Sequence, residues 1–162
     1  MKDLLVTTTL ASAVGSGLMS GLFFTFSNFV MKALVKLPPT QGAVAMQNVN
    51  VTIINPWFML MFLGTALTSL ITIVLAIRDW GTSAAALAFS GGVLYLVGCI
   101  AITMSCNVPL NDRLAARTDS DAPALTEEWR NYVQRWLPWN HVRTISTLAA
   151  SITFVLAIRT LS

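Results

Sequence analysis

Residues 56–77 read PWFMLMFLGTALTSLITIVLAI, 22 positions without a charge. At a rise of about 1.5 Å per residue, a helix of this length crosses the roughly 30 Å of bilayer hydrocarbon. Asn55-Pro56 opens the stretch, a capping residue followed by proline, and Arg78-Asp79 closes it. The reading is a membrane-spanning helix. Composition agrees: 55% of the 162 residues are hydrophobic and 10% charged, far from the soluble-domain norm of about a quarter charged.

Outward from this segment the pattern repeats. Leu4 to Met31 is uncharged over 28 positions. Ala11-Ser12-Ala13 imitates a signal-peptidase site, but the apolar run continues through Phe29 and Val30, so the segment is expected to stay as an anchor. Thr82 to Cys106 is a third span, ended by Asn107-Val108-Pro109, since proline disfavours helix in the residue before it. The fourth is short: only Thr144 to Ile158, 15 residues between Arg143 and Arg159, is uncharged. It must begin near Trp139, which carries His141 and Arg143 to or into the bilayer boundary. The expected fold is all-α, a single four-span membrane domain over 1–162 with spans about 4–31, 56–77, 82–106 and 139–160. A short helix is expected in the 1–2 connection and an amphipathic, interfacial helix in the 3–4 connection.

Span parity puts the termini and the 2–3 turn on one side and the connections 32–55 and 107–140 on the other, the loop side. Lys32, Lys36, Arg113, Arg117, Arg130, Arg135 and Arg143 lie on the loop side, against Lys2, Arg78 and Arg159. By the positive-inside rule the loops are expected to be cytoplasmic. The +3 net charge forms no basic patch, so nucleic acid is not an expected partner. Membrane lipids, a hydrophobic small molecule and a second copy of the chain are, the last from Gly17-xxx-Gly21.

The loop-side end also collects the chemistry. At 100° per residue Ala13, Gly17, Gly21, Phe24 and Asn28 share one face of span one, and Asn28 needs either another helix or a ligand as partner. Span four carries Asn140, Arg143, Thr144, Thr147, Ser151, Phe154 and Ile158 along one inward stripe, with His141 at its edge. Gln47, Asn48, Asn50 and Asn55 are uncharged amides that suit either a solvated loop or a segment lining a polar cavity. Leu125, Trp129, Tyr132 and Trp136 form an apolar stripe opposite Glu127, Glu128, Arg130, Asn131, Gln134 and Arg135, which suits an interfacial helix or a lid. Asn107 and Asn111 follow span three. A concave site among these helix ends is the natural expectation.

Two cysteines and one histidine, without CxxC or HxxxH spacing, leave little material for a disulfide framework or a structural metal. Cys99 and Cys106 lie about 10.5 Å apart if on one helix, beyond disulfide reach. A haem or copper site would need His141 with Met or Cys ligands, so no cofactor is expected and haem or copper stays as the alternative. Phosphate loops, Ser-His-Asp sets and paired carboxylates are missing from the sequence pattern.

Phe26-Ser27-Asn28-Phe29-Val30-Met31, Met46-Gln47-Asn48-Val49-Asn50, Asn55-Pro56-Trp57-Phe58, Asn107-Val108-Pro109-Leu110-Asn111 and Trp136-Leu137-Pro138-Trp139-Asn140-His141-Val142-Arg143, in this order, resemble a small integral-membrane family that includes the anthrone oxygenases. The resemblance spans nearly the whole chain. It implies a four-helix membrane protein that oxidises an anthrone to a quinone with molecular oxygen, without an evident metal or flavin. Such chemistry needs a base, donors for an enolate oxygen and a dry aromatic pocket. The candidates are His141 as base, Arg143 for the enolate, and Asn140, Asn107, Asn111, Asn28, Gln47 and Asn50 to orient oxygens. Trp129, Trp136 and Trp139 would stack on a flat substrate. The alternatives are a non-catalytic membrane protein that holds a lipid or hydrophobic small molecule, or a haem- or metal-binding one. In these, Trp139, His141 and Arg143 meet headgroups or a ligand, and the asparagines bridge helices.

Overall fold

The computed structural model describes residues 2–161. Within them the chain is helical and has no strand: α1 Lys2–Val35, α2 Pro39–Thr52, α3 Pro56–Arg78, α4 Ser83–Ala115 and α5 Ala122–Leu161. Four of the five, α2 excepted, are long and apolar enough to cross a membrane. The protein is an all-α, multi-pass membrane bundle.

The helix starts follow local chemistry. Pro38 is extended (φ −48°, ψ 137°) and Pro39 occupies the first turn of α2. The Asn55 side chain accepts the Phe58 backbone N–H at 3.1 Å, and Thr82 Oγ1 accepts that of Ala85 at the same distance. Asp121 Oδ1 likewise accepts from Ala124 N at 3.2 Å at the start of α5. Gly81, at φ +108°, supplies the left-handed residue that the short α3–α4 hairpin needs.

Three expectations are corrected. The third span does not end at Cys106. A π-helical turn over Thr103–Asn107 widens the helix just before Pro109, so the missing proline N–H is accommodated and α4 runs on to Ala115. The interfacial helix and the fourth span are one helix of 40 residues that continues through Pro138. At about 60 Å it is twice as long as the hydrocarbon is thick, so its first half stands above the loop-side surface. The apolar stripe of that half is buried as expected, but Glu128 is buried too, paired with Arg113 at 3.5 Å.

α5 lies antiparallel to α1, with Ser151 Oγ donating to the Ala13 carbonyl at 2.9 Å and Ser20 Oγ to that of Thr144 at 3.3 Å. α1 meets α3 through Ser12 Oγ donating to Thr68 Oγ1 (2.9 Å), and α4 meets α3 through Tyr95 Oη donating to the Phe62 carbonyl (3.0 Å). The interior holds Thr9, Ser12, Ser16, Ser69, Thr72 and Thr147, while Leu10, Val14, Leu63, Leu67, Ile145 and Ile152 face outward. Small hydroxyl residues inside and large apolar ones outside reverse the soluble pattern and match helix packing in lipid. Tight glycine contacts join the helices, among them Gly15 against Thr65, Gly91 against Phe154, Gly92 against Ile73 and Gly98 against Ser146, whereas Gly21 faces open space.

α2 and the upper part of α5 close the loop-side end. Met31, Met46, Leu114, Leu125, Trp129 and Tyr132 form a second core there. Gln47 Nε2 donates to the carbonyls of Leu114 (2.7 Å) and Arg117 (3.0 Å), capping the C-terminus of α4.

Candidate functional site

Under this cap lies a cavity of about 240 Å³ to which all five helices contribute. Phe23 and Phe26 come from α1, Met46 and Asn50 from α2, Phe58 and Phe62 from α3, Thr103 and Asn111 from α4, and Trp136, Asn140 and Arg143 from α5. A mostly apolar and aromatic lining with a few polar groups is the composition of small-molecule sites. Two π-helical turns, Phe26–Val30 and Thr103–Asn107, occur where α1 and α4 pass this region, and such turns are frequent at functional sites.

Arg143 is the centre of the polar part. It is 5% exposed, and its guanidinium lies 4.3 Å from the centroid of the Phe23 ring and 5.1 Å from that of Trp136. Nη2 donates to Asn140 Oδ1 at 2.7 Å and Nη1 to Thr103 Oγ1 at 3.3 Å. Asn140 is held in turn, its Nδ2 donating to the Phe23 carbonyl and to Ser27 Oγ, each at 2.8 Å. Among the described residues the one ion pair is Arg113–Glu128, so no carboxylate compensates Arg143. Rings and neutral acceptors stand in for a counter-ion, each ring contact contributing about 0.5–2 kcal/mol. Three donors of lining residues, Arg143 Nε, Trp136 Nε1 and Asn50 Nδ2, are buried and have no hydrogen-bond partner. Buried donors are ordinarily paired, so unpaired ones beside a cavity point to an acceptor that arrives with a ligand.

The structure brings together Arg143, Asn140, Trp136, Asn50 and Asn111 on the cavity wall. Asn111 Oδ1 accepts the Tyr132 hydroxyl at 2.8 Å. Asn107 sits just behind the wall, fully buried, its Nδ2 donating to the Trp136 carbonyl at 3.3 Å. Five candidates fall elsewhere. His141 is exposed, one helical step beyond Asn140 and off the cavity. Trp139 is 40% exposed on the outer surface. Asn28 is exposed, because the inward face of α1 runs through Ser16, Ser20, Phe23 and Ser27 and not through Gly21 and Phe24. Gln47 is engaged as the cap of α4, and Trp129 is buried in the upper core, stacked on Tyr132 at 5.8 Å.

Sequence reasoning missed Thr103, Ser27 and the four phenylalanines. Thr103 carries a signal, a hydroxyl in an apolar span four residues before Asn107. The phenylalanines carry none, being indistinguishable in sequence from lipid-facing ones. Among the described residues no group of three His, Cys, Asp or Glu side chains is placed to hold a metal ion.

No curated protein and no solved structure matches this chain. Residues 57–153 match the family described as anthrone oxygenase, a stretch that contains α3, α4 and the part of α5 carrying Trp136, Asn140 and Arg143. That match covers more than half of the protein, and the chain belongs to the anthrone oxygenase family.

Proposed function

We propose that the protein is a membrane oxygenase that uses molecular oxygen to convert a lipophilic phenolic or anthrone-type compound to a quinone. The observation that carries this is Arg143, a buried guanidinium on the wall of an aromatic cavity with no carboxylate partner among the described residues. A lone buried cation is costly and is kept where a ligand supplies the opposite charge.

An anthrone loses a methylene proton to give an enolate that is also an aromatic phenolate. Arg143 and the Trp136 N–H are the donors for its oxygen, and Asn140 fixes the guanidinium plane. The rings lie along Phe26, Phe58 and Phe62. His141 is off the cavity and the lining has no carboxylate, so the proton passes to water as the anion forms, and stabilisation of the anion replaces a dedicated base. The electron-rich carbon then gives electrons to oxygen and forms a C–O bond, and loss of water from the hydroperoxide leaves the carbonyl. The balance is R₂CH₂ + O₂ → R₂C=O + H₂O.

Oxygen uptake with emodin anthrone by the purified protein, against the Arg143→Met variant, tests the proposal. Quinone formation above the spontaneous rate, lost in the variant, supports it. Binding of the anthrone without uptake favours the alternative, a non-catalytic carrier of a hydrophobic small molecule.

In this proposal the loops lie in the cytoplasm. Discounting the buried Arg143, six basic residues remain on the loop side against three on the other. A Ser120→Cys probe in a Cys106→Ser background should be labelled only from the cytoplasmic side.

A further inference from the structure

We infer that the cavity is entered sideways from the bilayer, between Ile54 at the α2–α3 turn and Met104 in the π-helical turn of α4, by a planar lipophilic molecule lying at the headgroup boundary. Both residues line the cavity, and both are strongly exposed on the outer surface, Ile54 at 68% and Met104 at 60%. A side chain that lines a cavity and also lies open to the outside marks its mouth. Towards the loops Met46 and Trp136 of the lining, and Tyr132 next to them, are all buried.

The level of the mouth follows from its neighbours. Trp57, three residues after Ile54, is 78% exposed, and indole rings on the outside of a bundle collect at the membrane–water boundary. Below it Leu60 and Leu63 are exposed to hydrocarbon. The mouth therefore lies at the level of an interfacial aromatic, with apolar surface beneath it, the depth at which a phenol with fused rings partitions. Its gatekeepers suit passage. Met104 is unbranched with three rotatable bonds, and Ile54 lies in the short non-helical link between α2 and α3. A ligand entering here meets Phe58 first and Arg143 at the inner end.

The inference rests on the reading of the cavity as a site for a lipophilic anion, but its test does not use turnover. In a Trp57→Phe, Trp80→Phe, Trp139→Phe background, Trp136 and Trp129 remain, of which only Trp136 lines the cavity. The protein is placed in phosphatidylcholine vesicles with or without brominated acyl chains. A mouth open to the bilayer predicts quenching of Trp136 by brominated lipid, and Ile54→Phe with Met104→Phe should cut that quenching at least roughly twofold by closing a preformed pocket. Quenching no greater than in the matching Trp136→Phe protein, or unchanged by the two phenylalanines, overturns lateral entry whether or not the protein oxidises anthrones. Photocrosslinking of the unaltered protein with a diazirine acyl-chain phosphatidylcholine is the second measurement. Adducts on Phe58 or Trp136 support the mouth, and adducts confined to outward residues such as Leu63 and Ile145 overturn it.

Discussion

Asn140 Oδ1 accepts Arg143 Nη2 at 2.7 Å while Asn140 Nδ2 is tied to α1 through the Phe23 carbonyl and Ser27. The amide therefore fixes the guanidinium without neutralising it. A carboxylate in the same place would keep the hydrogen bond to Arg143 and add the missing negative charge, while losing the amide's donation to the Phe23 carbonyl. Asn140→Asp is expected to fold and to lower oxygen consumption with an anthrone by about 10²-fold, comparable to the loss of one preorganised oxyanion contact. Thermal melting and oxygen electrode traces on the same preparation check both halves, and full activity in the variant would remove the anion from the mechanism.

His141 gives the opposite expectation. It is exposed and off the cavity, so His141→Ala should change neither melting temperature nor turnover beyond about twofold, as for other surface substitutions. A pH–rate profile that loses a limb near neutrality in this variant would restore the imidazole as a base.

Gln47 separates stability from binding. Its two hydrogen bonds end α4 and do not reach the cavity, so Gln47→Leu should lower stability by about 1–2 kcal/mol by leaving the carbonyls of Leu114 and Arg117 without this donor. Affinity for an anthrone or its quinone, measured by fluorescence titration, should stay unchanged. A selective loss of affinity would make Gln47 a ligand contact.

Two glycines test the packing of the bundle. A Cβ on Gly98 meets Ser146 Cβ across the α4–α5 contact, and Gly98→Ala should cost about 1–3 kcal/mol by overpacking. Gly21 faces open space, so Gly21→Ala should leave the folded monomer unchanged. Melting curves in detergent compare them, and a loss of a larger species on size exclusion for Gly21→Ala would reveal an interface between copies.

How far these features could be read in advance depended on periodicity. The stripe Asn140, Arg143, Thr144, Thr147 was legible because polar side chains at helical spacing in a lipid-embedded segment must face protein. Asn28 is exposed because its stripe on α1 packs at Ala13 and at Gly17, which faces Ser151, but turns outward at Gly21 and Phe24, while Ser16, Ser20, Phe23 and Ser27 keep to the packed face. His141 was ambiguous at one helical step from Asn140, and only packing decides such a step. The run of α4 past Cys106 was hidden because Pro109 signals a stop, and the π-helical turn that absorbs it has no signature in composition. The continuity of α5 is hidden likewise by Pro138, which signals a stop yet lies inside the helix.

The order in which the spans are made gives Arg143 a further role. The first three spans are uncharged over their cores, and each can enter the bilayer as it leaves the translocation machinery. α5 comes last, with only 15 uncharged residues and an arginine at their edge, and an arginine within a span opposes insertion by up to about 2.5–3.5 kcal/mol. Thr103, Ser27, the Phe23 carbonyl and the Phe23 ring, which receive Asn140 and Arg143, all sit on helices already synthesised. The last helix therefore finds its receptor groove only where the earlier helices have already come together, and a misplaced α1 or α4 leaves the arginine without the groups that receive it.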